Sequence, residues 1–124
     1  MAFRSFSSAL SRRFVLAVIT NTHDPDLVPD HLERMGVSGL FRRVITSVGF
    51  GSRKPAPEIF QHALRVLHVP SERCVHVGDS YDADYRGARS VGIRPLLIDP
   101  RCEAPVPTAD RLASILELEA RLPD

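Results

Sequence analysis

The apolar residues of this chain occur in short runs that alternate with segments in which apolar side chains recur at helical spacing. The runs predict buried strands at residues 14–19, 44–47, 74–77 and 95–98. The spaced segments predict helices at residues 30–35, 57–67 and 109–122, with a further helix ending near residue 90. Strands that alternate with helices predict an α/β fold, in which a parallel sheet is built through right-handed crossovers.

Proline and glycine mark the ends of these elements. Pro57 suits the first position of its helix, where a backbone N–H is not needed. Gly36 and Gly92 each follow a helical segment and are expected to end it. Residues 48–51 are predicted to form a loop, and the proline-rich residues 52–57 cannot form regular structure.

The first 13 residues differ in composition from residues 14–124, which are expected to form the α/β core. Residues 1–13 are rich in arginine and serine, and no acidic residue precedes Asp24. Four apolar residues fall on one helical face: Phe3, Phe6, Leu10 and Phe14. We therefore interpret the segment as an amphipathic helix that packs against the sheet. A mitochondrial transit peptide has a similar composition and remains the alternative.

The overall composition is that of an ordinary globular domain. The 124 residues are enough for one compact domain but not for two. The formal net charge of +1 does not indicate a nucleic-acid partner, and no apolar run approaches the roughly 20 residues that span a bilayer. Cys74 and Cys102 fit neither a metal-binding spacing nor a disulfide framework. Cys74 is interpreted as a core residue, which suits a reducing compartment, so a cytoplasmic location is expected, with the mitochondrion as the alternative.

Three aspartates stand directly after the predicted strand at residues 74–77: Asp79, Asp82 and Asp84. The carboxyl ends of parallel strands form the edge of the sheet where ligands bind. Carboxylates placed this close together repel one another unless a cation lies among them. The group therefore predicts a cation site, although capping of the following helix is the simpler interpretation.

Thr20 and Lys54 are expected to place a hydroxyl and a cation near the same edge of the sheet. Thr20 ends the first strand, and Lys54 lies between a glycine-containing loop and two prolines that restrict its direction. Alone, Thr20 would be a turn cap and Lys54 a solvated surface lysine. Asp79, however, is a hard oxygen ligand of the type that Mg²⁺ prefers. A hydroxyl donor, a cation and a metal-binding carboxylate at one edge together describe a site for a phosphoryl group.

The residues around these positions resemble motifs of the haloacid dehalogenase (HAD) superfamily, most of whose members are Mg²⁺-dependent phosphohydrolases. The second motif, a strand ending in Ser or Thr, is similar to Leu-Ala-Val-Ile-Thr-Asn at residues 16–21. The third is similar to Lys-Pro-Ala-Pro-Glu-Ile-Phe at residues 54–60, and the fourth to Gly-Asp-Ser-Tyr-Asp-Ala-Asp at residues 78–84. The resemblance covers residues 14–99 and implies a Rossmann-like, HAD-type parallel sheet with flanking helices.

The resemblance implies a role for each matching residue. Thr20 and Asn21 would bind the phosphoryl oxygens, and Lys54 would neutralise the phosphate and the carboxylates around it. Thr20 and Lys54 are therefore the expected catalytic residues. Asp79 would ligate Mg²⁺, and Asp84 would support the metal shell directly or through water.

Other titratable residues match no role in the family. Asp82 is interpreted as solvated. The five histidines form no ligand pattern. His76 alternates with valines on its strand and is interpreted as a packed or hydrogen-bonded core residue.

The family's first motif, a central strand ending in Asp-x-Asp, has no counterpart in this sequence. That motif supplies the nucleophile and the general acid/base, but residues 1–19 contain no aspartate. Residues Asp24-Pro25-Asp26 match the Asp-x-Asp pattern, but they follow the second-motif strand instead of preceding it. Without a nucleophilic carboxylate, the family's covalent mechanism is not available. Without the central strand and the cap, the sheet is expected either to keep a gap of one strand or to bring its first and third strands together.

We therefore interpret the chain as an N-terminally incomplete, HAD-like, Mg²⁺-dependent phosphohydrolase that is inactive on its own. The alternatives are a non-catalytic phosphate-binding and metal-binding or regulatory module, and an enzyme completed in trans by another subunit. The expected ligand is a small phosphorylated metabolite, and neither nucleic acid nor a membrane is expected. A second copy or a partner chain would fill the gap in the sheet.

Overall fold

The computed structural model describes the backbone of residues 2–123 and the side chains of residues 5 and 7–123. The chain divides into two compact units, Met1–Arg53 and Lys54–Asp124. Each unit combines parallel strands with helices, which confirms the predicted α/β class. No helix in the described part of the chain is long and apolar enough to cross a membrane.

In its described residues, the first unit contains one two-stranded parallel sheet and three helices. In chain order these are α1 (Ala2–Ser11), β1 (Leu16–Thr20), α2 (Leu27–Arg34), β2 (Phe41–Thr46) and α3 (Ser47–Phe50), with a 3₁₀ turn at Ser38–Leu40. The buried apolar side chains are Leu10, Leu32, Val37 and Ile45. Leu10 shows that the apolar face predicted for the N-terminal helix is buried at that point, whereas the side chains of Phe3 and Phe6 lie outside the described residues.

The register of β1 and β2 brings their carboxyl ends together. Ala17 pairs with Arg43, and Thr20 pairs with Thr46 at the last position of both strands. The segments that follow the two strands therefore emerge from the same edge of the sheet, which is where the cavity of this unit lies.

The second unit contains a three-stranded parallel sheet in the order β3-β4-β5. Its elements are α4 (Pro57–Leu67), β3 (Val75–Gly78), a π-helix (Tyr81–Arg86), α5 (Gly87–Ser90), β4 (Arg94–Ile98), β5 (Arg111–Leu112) and a 3₁₀ helix (Ile115–Arg121), with 3₁₀ turns at Ser71–Arg73 and Thr108–Asp110. Ile59, Phe60, Leu96 and Leu112 are fully buried and form its core. Pro57 begins α4 as predicted.

Two predicted segments have a different structure. Residues 48–51 were expected to be a loop, but Ser47–Phe50 forms α3, because the Thr46 hydroxyl accepts the Gly49 N–H at 3.0 Å and caps this turn. Residues 109–122 were expected to form one helix, but Arg111 is extended in β5 and a new 3₁₀ helix begins after Ser114. The Ser114–Glu117 capping box fixes that start, and it is visible in the sequence as Ser-x-x-Glu.

The described strands of each unit pair within that unit. Among the described residues, β1 is hydrogen-bonded to β2 alone and β3 to β4 alone, in two separate sheets. Every residue of β1 and β3 is half-buried. A strand with one buried and one solvated face would instead alternate between buried and exposed residues. Both alternatives for the absent central strand, a gap of one strand and a rearrangement that brings the first and third strands together, stay predictions.

Candidate functional site

Asp79 and Asp84 occupy different environments at the carboxyl end of β3. Asp79 directly follows Gly78, the last residue of the strand, and its side chain is exposed. Asp84 lies in the π-helix and is only 4% exposed. The two segments approach so closely that a Cβ atom on Gly78 would overlap the carboxyl group of Asp84. Glycine is therefore required at position 78 for Asp84 to occupy this place.

The Asp84 carboxylate is the centre of a hydrogen-bonded network. Its Oδ1 atom accepts a hydrogen bond from Lys54 Nζ at 2.5 Å and lies 2.9 Å from His76 Nε2. Its Oδ2 atom accepts the backbone N–H of Ser80 at 3.1 Å. Burial on its own would raise the pKa of Asp84, but the hydrogen bonds from His76 and Lys54 and the charge of Lys54 hold that pKa well below its usual range. Asp84 is therefore a buried carboxylate that stays ionised.

His76 is positioned by packing as well as by this hydrogen bond. Its ring meets the ring of Phe60 edge-on, with centroids 5.1 Å apart and an interplanar angle of 89°. The prediction of a packed or hydrogen-bonded histidine is confirmed. The identity of its partner, Asp84, was not predicted, because residues eight apart in sequence were assigned to separate elements.

The polar residues after β1 and β2 form a second group, in the first unit. The Ser47 hydroxyl accepts the Thr22 N–H at 2.8 Å and donates to the Thr22 carbonyl at 3.0 Å. This pair of bonds ties the segment after Thr20 and Asn21 to the end of β2. A cavity of about 400 Å³ lies beside it, and its lining includes Asn21, Thr22, His23, Ser47, Ser52 and Arg53. This cavity was not predicted, because Ser47 and Arg53 matched no motif.

The structure thus arranges the five predicted site residues in two groups. Thr20 and Asn21 lie in the first unit, while Lys54, Asp79 and Asp84 lie in the second. Lys54 and Asp84 are in direct contact. The Ser80 N–H bond fixes the backbone immediately after Asp79 to the same carboxylate. The functional roles of all five residues, and their meeting in one site, stay predictions.

The side chains present suit a Mg²⁺ ion that shares its ligands with a substrate. No cluster of three or more His, Cys, Asp or Glu side chains that could enclose a metal occurs in the described part of the chain. Mg²⁺ does not require such a cage, because it is commonly held by one or two carboxylates together with substrate phosphates and water. The exposed carboxylate of Asp79 meets that requirement. Asp84 already receives donors on both oxygens, so it is better suited to fixing the loop than to direct coordination.

The chain is similar to one protein family and to several individual proteins. A family model described as haloacid dehalogenase-like hydrolase matches residues 3–92. The haloacid dehalogenase-like hydrolase domain-containing protein 3 of Bos taurus is 39% identical over 113 residues, covering 86% of this chain and 44% of the relative. A phosphoserine phosphatase of Thermus thermophilus is 37% identical, covering 75% of this chain and 37% of that protein. The chain therefore spans less than half the length of these relatives.

Solved structures show the same similarity. A 2-haloacid dehalogenase from Pseudomonas syringae superimposes with a TM-score of 0.82 at 26% identity, covering 97% of this chain and 51% of that protein. A HAD phosphatase from Thermococcus onnurineus gives a TM-score of 0.79 at 27% identity, covering 94% of this chain and 54% of that protein. Together with the matching family model, these relatives support the α/β fold with parallel strands.

Proposed function

Because the chain belongs to the haloacid dehalogenase-like hydrolase family, we propose that it carries the phosphate-binding and metal-binding side of a Mg²⁺-dependent phosphohydrolase site. The substrate class is a phosphate monoester of a small metabolite. The similarity to a phosphoserine phosphatase, a glyceraldehyde 3-phosphate phosphatase and a ribulose-1,5-bisphosphate 5-phosphatase supports this class.

The observation that carries the proposal is the hydrogen-bonded network around Asp84. Lys54 is 11% exposed, and its ammonium group is held by a carboxylate that is itself buried. A cation that is already oriented can stabilise phosphoryl oxygens without reorganising during the reaction. A purely structural surface lysine has no need of such a buried partner.

The remaining residues bind different parts of the ligand, either the phosphoryl group or the metal ion. The Thr20 hydroxyl and the Asn21 amide donate hydrogen bonds to phosphoryl oxygens, and Asp79 is the carboxylate that would hold the metal. Mg²⁺ in that position supplies Lewis-acid neutralisation of the phosphoryl oxygens. Asp84 acts indirectly, by orienting Lys54 and the backbone of Ser80.

We further propose that the 124-residue chain by itself does not hydrolyse phosphate esters. The family's mechanism needs a nucleophilic carboxylate. Asp24 is a poor substitute, because it lies in an exposed turn where its carboxylate accepts the Asp26 N–H at 2.9 Å. The nucleophile of the complete site would then come from residues outside this sequence.

The test combines Mg²⁺ binding with hydrolysis of p-nitrophenyl phosphate by the whole chain. In the presence of inorganic phosphate, we expect calorimetry to show Mg²⁺ binding that is weakened roughly tenfold or more in Asp79→Asn. Asp82→Asn is the matched control, because the Asp82 side chain is 77% exposed and pairs only with Arg86 among the described residues. We expect this control to bind Mg²⁺ as the unmodified chain does, and none of the three proteins to release nitrophenol.

Three outcomes would change the proposal. Equal Mg²⁺ binding by the unmodified chain and Asp79→Asn would overturn the metal site. Hydrolysis that disappears in Asp79→Asn would show that a nucleophile is present, and Asp24→Asn and Asp26→Asn would be measured next. If hydrolysis appears only when a polypeptide with an Asp-x-Asp strand is added, the chain is part of an enzyme rather than a non-catalytic binding module.

A further inference from the structure

The cavity of the first unit lies directly beside the predicted phosphate-binding residues. Asn21 lines it, and Thr20 is the preceding residue in the chain. Its volume of about 400 Å³ falls within the usual range of small-molecule sites, roughly 300–1,000 Å³. A ligand bound by Thr20 and Asn21 therefore has room for a substantial second group.

Several polar groups of this cavity are already used by the protein. Ser47 Oγ exchanges two hydrogen bonds with the backbone of Thr22. The Thr22 hydroxyl is engaged with the backbone of Asp24, accepting its N–H at 3.1 Å. These contacts shape the wall of the cavity but leave these hydroxyl groups little capacity to bind a ligand.

Of the side chains that line the cavity, Arg53 and Ser52 can still donate hydrogen bonds to a ligand. Arg53 is exposed, and its guanidinium is in none of the ion pairs found in the part of the chain that the structure describes. Ser52 is half-buried beside it, and the His23 ring adds a further nitrogen to the lining. Among the described residues, no aspartate or glutamate lines the cavity, so an anion placed here meets the Arg53 cation and the Ser52 hydroxyl without a competing carboxylate.

We infer that this cavity is a subsite for a second anionic group on the substrate, with Arg53 as its principal anchor. The inference rests on the proposed function, because it places the phosphoryl group of the same molecule at Thr20 and Asn21. The substrate class is thereby narrowed to phosphate esters that carry a carboxylate or a second phosphate. Arginine suits either group, because its planar guanidinium can donate two parallel hydrogen bonds to an oxyanion.

The test uses two esters that differ in one group. 3-Phosphoglycerate has a carboxylate where glycerol 3-phosphate has a hydroxymethyl group. We expect the intact chain with Mg²⁺ to bind 3-phosphoglycerate about tenfold or more tightly than glycerol 3-phosphate, measured by calorimetry. In NMR titrations, the amide signals of Ser52 and Arg53 should shift with 3-phosphoglycerate more than with glycerol 3-phosphate.

Substitution of Arg53 separates this subsite from the phosphate site. In Arg53→Ala the preference for 3-phosphoglycerate should fall to about one, while the affinity for glycerol 3-phosphate stays unchanged; Arg53→Lys should keep part of the preference. Arg42→Ala is the matched control, because Arg42 is an exposed arginine of the same unit that does not line the cavity. It should retain the full preference.

The two proposals fail in different ways. A preference that persists in Arg53→Ala, or equal binding of the two esters by the unmodified chain, would overturn the subsite and leave the phosphate site intact. If the unmodified chain binds neither ester, the proposed function is wrong and the subsite is overturned with it.

Discussion

At the scale of single residues, Asp84 sets the local structure of the second unit. Lys54 from the segment before α4, His76 from β3 and the backbone of Ser80 all donate to this one buried carboxylate. Removing one partner of a buried charge leaves the other uncompensated, at a cost of several kcal/mol. The network therefore orients Lys54 in the absence of a ligand, which suits the role proposed for it in stabilising phosphoryl charge.

The close approach of Gly78 to Asp84 leads to a prediction about stability. In Gly78→Ala the new methyl group would overlap the Asp84 carboxyl group, so either β3 or the π-helix must shift. We expect the free energy of unfolding to fall by about 1–3 kcal/mol, measured by urea denaturation. The displaced carboxylate should also release Lys54 and thereby weaken the phosphate binding that we propose.

Gly39→Ala is the control for this substitution. A Cβ atom on Gly39 would meet nothing within 4 Å, so we expect its stability to change by no more than about 0.5 kcal/mol. Equal stability of Gly78→Ala and the unmodified chain would show that Asp84 can move without cost. Lys54 would then not be preorganised by it.

At the scale of helices and strands, the sequence predicted well those elements whose ends are set by local chemistry. Pro57 fixed the start of α4, and a short apolar run located β4. The segment at residues 109–122 was predicted wrongly, because Arg111 is drawn into an extended strand by partners distant in sequence. The Asp84 network was not predicted for the same reason. Its members come from three separate segments, and no local sequence pattern indicates that they are in contact.

Asp99 makes the connection between β4 and β5 sensitive to acid. Its carboxylate accepts the N–H groups of Ala104 and Glu103 and a hydrogen bond from Arg111 Nε at 3.1 Å. Those backbone hydrogen bonds, together with Arg111, lower the pKa of Asp99 below its ordinary value of 3.8. A carboxylate whose pKa is lowered by folding stabilises the fold above its ordinary pKa. That contribution is lost as the pH falls through the lowered value.

Asp99→Asn should therefore lower the free energy of unfolding at neutral pH, and the loss should be smaller in acid. We expect urea denaturation to show a lower free energy of unfolding at pH 7, with the difference from the unmodified chain shrinking below pH 4. Asp82→Asn, at a solvated carboxylate, should follow the unmodified chain at both values. A difference for Asp99→Asn that is the same at pH 7 and in acid would mean that the ionised form contributes nothing.

At the scale of the whole molecule, the described strands form two separate sheets. In the described residues, β1 pairs only with β2, and β3 pairs only with β4. The five residues of β1 and the four of β3 are all half-buried. Unpaired strand edges with apolar side chains readily pair with another chain.

We therefore propose that the chain associates in solution, with a second copy or with a partner that adds a strand. Sedimentation velocity should show species heavier than the 13.8 kDa chain, increasingly so as its concentration rises. Hydrogen exchange should show stronger protection of amides in β1 and β3 at high concentration than at low. Amides of α4, whose hydrogen bonds lie within one helix, should not respond and serve as the internal reference. A strict monomer at every concentration, with β1 and β3 amides already protected when dilute, would mean that each unit satisfies its own strand edges, and no added strand would then be needed.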